Sequence, residues 1–231
     1  MYWDSTGDWR LTYYSELASR NKDSLSVIEK AELELDNLEK EITISILNGN
    51  LIHTFLDIGC GVGRQLIEFS ERFKNTYFWG VDISSYQIEL LNSIIQKRRI
   101  KNVFGICADV GTIYWINEKF DMISLYNNSF GCMNEMQQVK CLDFIESHLK
   151  IGGFLLISSF NRIDMIEEAY KEWGLNPVSI DYTDGKVDLG VYISNWKTQD
   201  TFLPFFEKHH TICLKDSVQA GLGTIYIFNR N

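Results

Sequence analysis

Between His53 and Arg64 the chain reads HTFLDIGCGVGR, a stretch that leaves few folds open. Thr54-Phe55-Leu56 is a short apolar run of the kind a buried strand needs. It ends in Asp57, after which glycine takes alternate positions at Gly59, Gly61 and Gly63. Arg64-Gln65-Leu66-Ile67-Glu68-Phe69 then adopts helical spacing. The order is strand, tight turn, helix N-terminus. Glycine enters backbone regions closed to other residues and lets a ligand touch bare main chain. The N–H groups of a first helical turn attract anionic groups.

The glycine spacing narrows the ligand. In the dinucleotide fingerprint G-x-G-x-x-G, counted from Gly59, the third glycine falls on position 64, which is Arg. The pattern present is D-x-G-x-G-x-G. It resembles motif I of the class I S-adenosylmethionine-dependent methyltransferases. That resemblance implies that Asp57, Gly59, Gly61 and Gly63 face the amino-acid end of the cofactor, with Cys60 as a small wall residue.

At 231 residues and 45% hydrophobic, the chain can bury one sizeable core, so a single domain over 1–231 is expected. The net charge of −9 argues against a nucleic-acid partner, which calls for a basic footprint. Five cysteines (Cys60, Cys107, Cys132, Cys141, Cys213) form no C-x-x-C pair and read as reduced thiols, so a cytoplasmic protein is expected. The N-terminus has no basic-then-apolar signal pattern, and no run approaches the length of a membrane span. The expected partner is a small-molecule methyl acceptor, with a homo-oligomer left open.

Three further strand ends extend the resemblance. Thr76 to Val81 is apolar and ends in Asp82, about 20 residues past the glycines, where an acid accepts hydrogen bonds from ribose hydroxyls. Ile83 follows it beside the sugar. Asp82 and Ser84 both precede the next helix, which carries Ile88, Leu91, Ile94 and Ile95, so a helix cap is the plain alternative for Asp82; capping by Ser84 leaves Asp82 for the sugar. Val103 to Ala108 is a third strand, ending at Asp109. The family carries there the acid that accepts the adenine amino group, so the resemblance assigns that role to Asp109 and the ring edge to the Val110 backbone. A turn aspartate is the plain alternative. Phe120 to Leu125 is the fourth strand, followed by YNNSFGCM. The Asn/Asp-Pro-Pro-Tyr/Phe tetrapeptide of nucleic-acid and amide methylators is missing, and Asn128-Ser129-Phe130-Gly131 is more similar to the loop of glycine- and sarcosine-type N-methyltransferases. Asn127 and Asn128 then face the transferring methyl.

Met136, Val139, Cys141, Leu142, Ile145 and Leu149 supply the apolar positions of the next helix. Leu149 to Gly153 is the leucine–x–x–Gly–Gly turn that this family shows before strand five, here Phe154 to Ser159. Alternating strands and helices with short turns imply a doubly wound, mainly parallel sheet of seven strands, a Rossmann-like fold. Ligands of such sheets sit at the carboxyl ends of the strands. Residues 51–160 form the cofactor-binding core, and residues 1–50 a helical cap. The cap includes a helix from Ser24 to Leu47 whose stripe Ile28, Ala31, Leu35, Leu38 and Ile42 is core packing alone. A strand-rich insertion with an Asp184-Gly185 hairpin signal occupies 161–200 and covers the acceptor, and 201–231 holds the last two strands. His209 and His210 read as solvated turn residues. No metal-ligand spacing occurs.

A sulfonium methyl is already activated, so transfer needs positioning rather than a nucleophile. Tyr13, Tyr14, Asn127, Asn128, Tyr182 and Tyr192 are the candidate lining groups, with no general base ranked among them. The reading is methyl transfer from S-adenosylmethionine, leaving S-adenosylhomocysteine, to a small molecule, with nitrogen slightly ahead of oxygen. A nicotinamide oxidoreductase and a non-catalytic cofactor-binding partner of another enzyme are the alternatives.

Overall fold

The computed structural model describes residues 13, 16, 18–113, 117–190 and 192–231. Tyr14 lies outside them. Helix α1 (Val27–Gly49) opens with a capping box: Glu29 N–H donates to the Ser26 hydroxyl, and Ser26 N–H donates back to the Glu29 carboxylate, both at 2.9 Å. The core then alternates β1 (Thr54–Ile58), α2 (Arg64–Arg72), β2 (Tyr77–Asp82), α3 (Ser85–Arg98), β3 (Val103–Cys107), β4 (Phe120–Leu125), α4 (Glu135–His148) and β5 (Leu149–Phe160). After α5 (Ile166–Glu172) come three short strands, β6 (Ser179–Asp181), β7 (Lys186–Asp188) and β8 (Ile193–Asn195). Helix α6 (Gln199–Phe202) leads to β9 (Ile212–Ala220) and β10 (Gly223–Arg230).

Seven strands form one sheet in the order β3-β2-β1-β4-β5-β10-β9. β1 to β5 run parallel, and β10 is antiparallel to both neighbours. The order reverses between β1 and β4, the crevice where such sheets bind ligands. Helices cover both faces. One core packs Cys141, Leu142 and Ile145 of α4 with Phe202 and Phe206 against the sheet. The other packs Leu66 and Phe69 of α2, Leu91 of α3 and Ile46 of α1. A third cluster joins Ile28 and Ala31 to Ile166, Ala169, Tyr170 and Trp196, fixing α1 beside the three-stranded insertion.

Several expectations change. In α4, Met136 and Val139 are exposed, and the buried stripe runs through Gln138, Cys141, Leu142 and Ile145. Gln138 is tolerated inside because its Nε2 donates to the Phe130 carbonyl at 3.0 Å. β5 begins at Leu149, so the Gly152-Gly153 turn lies within the strand as an irregularity in its register with β4. His209 is buried, its Nδ1 2.9 Å from Glu146, because the turn into β9 packs over α4. His210 is exposed.

Candidate active site

At the carboxyl ends of β1 to β4 the chain encloses a cavity of about 330 Å³. Its first wall is the glycine loop. Gly59 has φ +75°, and a Cβ there would stand 2.8 Å from the Ser129 side chain, so only bare backbone fits. Gly63 caps α2 at φ +68° without a side-chain bond, and a Cβ there would meet Leu91 at 2.5 Å.

The strand-end acids line this wall together. The Asp82 carboxylate receives Gly61 N–H at 2.8 Å and Ser84 N–H at 2.9 Å, so it ties the glycine loop to the end of β2. Ser84 is the α3 cap, as its position suggested. Asp109 accepts Gly111 N–H at 2.9 Å and starts a 3-10 turn over Val110–Thr112, while its residue still lines the cavity. Asp57 is buried and accepts the Ser124 hydroxyl at 2.8 Å. Burial pushes its pKa up to about 8, with Glu39 and Asp82 adding to the rise against the opposing Ser124 bond and Arg64. Burial likewise drives the Cys60 thiol well above its ordinary range, which suits a wall residue and not a nucleophile.

The two asparagines after β4 part company, although both take left-handed angles, φ +47° and +61°. Asn127 lines the cavity, and its N–H donates to Glu39 at 2.9 Å. Asn128 is 1% exposed and points into the fold. Its Nδ2 donates to Ser194 Oγ at 3.3 Å, and its Oδ1 accepts Phe160 N–H at 3.1 Å. That residue bolts the loop to β5 and β8.

The wall nearest α1 is the part that sequence reasoning missed. Glu32, Asp36, Glu39 and Thr43 are all buried at intervals of four, three and four, a second helical stripe beside the apolar one. Asp36 holds the guanidinium of Arg64 and lies 3.0 Å from Lys40 Nζ. Glu39 receives Asn127 N–H, the Ser158 hydroxyl and Gln65 Nε2; burial, then Asp36, raises its pKa to about 7. Thr43 meets the buried Tyr126 hydroxyl at 2.5 Å. Glu32 reaches the cavity with Tyr13, Tyr170, Trp173, Phe160 and Tyr192. Tyr182 does not: it is exposed and hydrogen-bonded to Glu167. Among the described residues no His, Cys, Asp and Glu group could hold a metal ion, and no helix is long and apolar enough to cross a membrane.

This is the site of a doubly wound nucleotide-binding sheet, and comparison with known proteins sharpens it. A family described as a methyltransferase domain matches residues 53–209. The chain belongs to that family, and its fold is that of the class I S-adenosylmethionine-dependent methyltransferases. A crystal structure of an S-adenosylmethionine-dependent methyltransferase from Clostridium acetobutylicum superposes with a TM-score of 0.67, covering 97% of this chain and 100% of that one at 15% identity. An uncharacterised Rickettsia prowazekii protein is 33% identical over 103 residues, 45% of this chain and 41% of its own. N-methyltransferase 4 of Papaver somniferum is 33% identical over 103 residues, 44% of this chain and 28% of its own. The chain thus spans less than half the length of these two relatives.

Proposed function

We propose that this protein transfers a methyl group from S-adenosylmethionine to the nitrogen of a small molecule. The observation that carries the reading is the single cavity in which the glycine loop and the ends of β1 to β4 meet a second, aromatic wall. The donor's parts fit the first wall. The bare backbone at Gly59 and Gly61, with Asp57 and Cys60, receives the methionine portion beside Gly63. Asp82 takes the ribose hydroxyls with Ile83 on the flank, and Asp109 with the Val110 backbone receives the adenine edge. Asn127 stands between the two walls. When bound, S-adenosylmethionine supplies a methyl on a positively charged sulfur.

The chain's own contribution is position and dryness. Glu39 fixes the Asn127 backbone, and the Ser129 hydroxyl donates to the carbonyls of Tyr126 at 2.7 Å and Gly59 at 3.3 Å, locking the loop after β4 to the glycine loop. The insertion is held over them by Asn195, whose N–H and Nδ2 both donate to the Gly131 carbonyl at 2.9 and 2.8 Å. A cover tied down in this way limits the access of water, and alignment of two reacting centres can lower a barrier by about 7–11 kcal/mol. The relative from Papaver somniferum, an N-methyltransferase by name, favours nitrogen over oxygen. Calorimetric titration with S-adenosylhomocysteine, followed by a labelled-methyl screen of amines and phenols, tests the proposal. Binding of NADH in place of S-adenosylhomocysteine would overturn it, and cofactor affinity without turnover on any acceptor would favour a regulatory partner.

A further inference from the structure

The sheet order gives the cavity a direction. Asp109, Asp82 and the glycine loop stand at the ends of β3, β2 and β1, Asn127 stands past the end of β4, and β5 lies on the far side of β4. Neighbouring strands run about 5 Å apart, so a residue at the end of β5 is about one strand spacing beyond Asn127. That residue is Phe160, and it lines the cavity.

Two residues past the end of α5 line the cavity with it. Trp173 follows the helix, and Leu175 is set by the turn beyond, where its N–H donates to the Tyr170 carbonyl at 2.8 Å. The rings of Phe160 and Trp173 have centroids 6.1 Å apart. Behind them Trp196 is fully buried, 5.0 Å from Phe160 and 6.2 Å from Trp173, and Tyr170 meets Trp173 edge to face at 5.2 Å. The indole is also tied by its Nε1, which donates to Glu32 at 3.0 Å. Rings backed on several sides keep their place, yet Phe160, Trp173 and Leu175 are only half-buried. Their remaining apolar surface belongs to a concave site, where the apolar part of a ligand covers it most favourably. A ring adds offset or edge contacts to that burial.

We infer that Phe160, Trp173 and Leu175 form a shelf for an apolar ring on the methyl acceptor, so that the protein selects amines carrying such a ring over amines of the same charge that lack it. The inference rests on the methyltransferase reading and narrows its substrate class. Strand spacing sets the connection: a nitrogen beside Asn127 and a ring on Phe160 are about 5 Å apart, the reach of a link of about two or three bonds. The three side chains are specificity residues, acting through the apolar surface they share with the acceptor.

The test compares 2-phenylethylamine with propylamine, each titrated into the full chain saturated with S-adenosylhomocysteine. Both are primary amines of equal charge, so the comparison reads the shelf alone. The ring-bearing amine should bind about tenfold more tightly, the gain from taking roughly 55 Å² of apolar surface out of water. Trp173→Ala and Phe160→Ala should each cut that preference to about threefold or less. Binding of S-adenosylhomocysteine reports which variants fold; if one does not, the other carries the test, and the ratio in the unmodified protein stands by itself. A ratio below about threefold in the unmodified protein, or no detectable binding of 2-phenylethylamine, overturns the inference. So does a tenfold preference that survives both substitutions. Failure of S-adenosylhomocysteine to bind the unmodified protein would instead overturn the cofactor reading beneath it.

Discussion

On one side of the cavity the chain offers main chain, and on the other it offers side chains. The glycine-loop wall is made by consecutive residues of one strand-turn-helix unit, with Asp82 and Asp109 added from the next two strand ends. The opposite wall draws Tyr13 from before α1, Glu32 from its first turns, Phe160 from the end of β5 and Trp173 from the end of α5. The first kind of wall is dictated by backbone geometry and suits a ligand shared by a whole family. The second can be rewritten residue by residue without disturbing the sheet, which suits a ligand that differs from one enzyme to the next.

The difference predicts unequal tolerance. Gly59→Val should have the largest effect of the variants considered. An L side chain at a left-handed angle costs about 1–2 kcal/mol, and the new Cβ would overlap Ser129, 2.8 Å away. We expect a loss of S-adenosylhomocysteine affinity of about 100-fold, or ~2.7 kcal/mol, with native far-ultraviolet dichroism. Wild-type affinity in that variant would break the comparison, because the wall would not depend on bare backbone.

Asp82→Ala comes next. It removes the acceptor assigned to the ribose and also frees the N–H groups of Gly61 and Ser84. The expected loss of cofactor affinity is about 1–3 kcal/mol, the cost of leaving polar groups unpaired. Unchanged affinity in calorimetry would take Asp82 out of the ribose role and leave it only as a brace of the loop.

The two walls also differed in how far they could be read from sequence. β1 to β4 were legible because each is a run of apolar residues closed by a single acid or asparagine, and because short connections force neighbouring strands to lie together. The opposite wall was not. Glu32 lines it, and Asp36 and Glu39 lie buried on the same stripe of α1; all three stand between apolar residues, and charges in a helical pattern ordinarily mark a solvated face. Their interval of four and three was the available signal, but the burial that distinguishes the stripe comes from Arg64, Gln65 and Ser158, which are remote in the chain. Glu32 and Trp173 are 141 positions apart, a pairing that no local pattern announces. Asn127 and Asn128 are the sharpest case: identical neighbours, one lining the cavity and the other bolted into the fold.

The buried acids give the comparison a pH dependence. In the folded protein Asp57 is raised to about 8 from an ordinary value of 3.8, and Glu39 to about 7 from 4.5. Between the two values of each group the folded chain binds more protons than the unfolded chain. Its stability is therefore greatest below the unfolded value and falls as pH rises, levelling off above about 8. Without cofactor, the thermal midpoint should drop between pH 6 and 8, and Asp57→Asn should flatten that slope. On the proposed reading the amino group of S-adenosylhomocysteine lies beside Asp57 and favours its ionised form, so affinity should rise severalfold over the same interval. A flat affinity profile would place the cation away from Asp57.

The smallest effects should separate the two tyrosines of the insertion, which look alike in sequence. Tyr192 lines the cavity, whereas Tyr182 is 48% exposed and its hydroxyl bonds outward to Glu167. Tyr182→Phe should leave the acceptor KM and kcat unchanged and alter stability by less than about 0.5 kcal/mol, as expected for a surface substitution. Tyr192→Phe should raise the acceptor KM modestly and leave S-adenosylhomocysteine affinity alone, because its ring borders the side-chain wall and not the glycine loop. If Tyr182→Phe changed acceptor kinetics and Tyr192→Phe did not, the insertion would close over the site by a different edge. The boundary between a wall of backbone and a wall of side chains would then have to be redrawn through β6 and not β8.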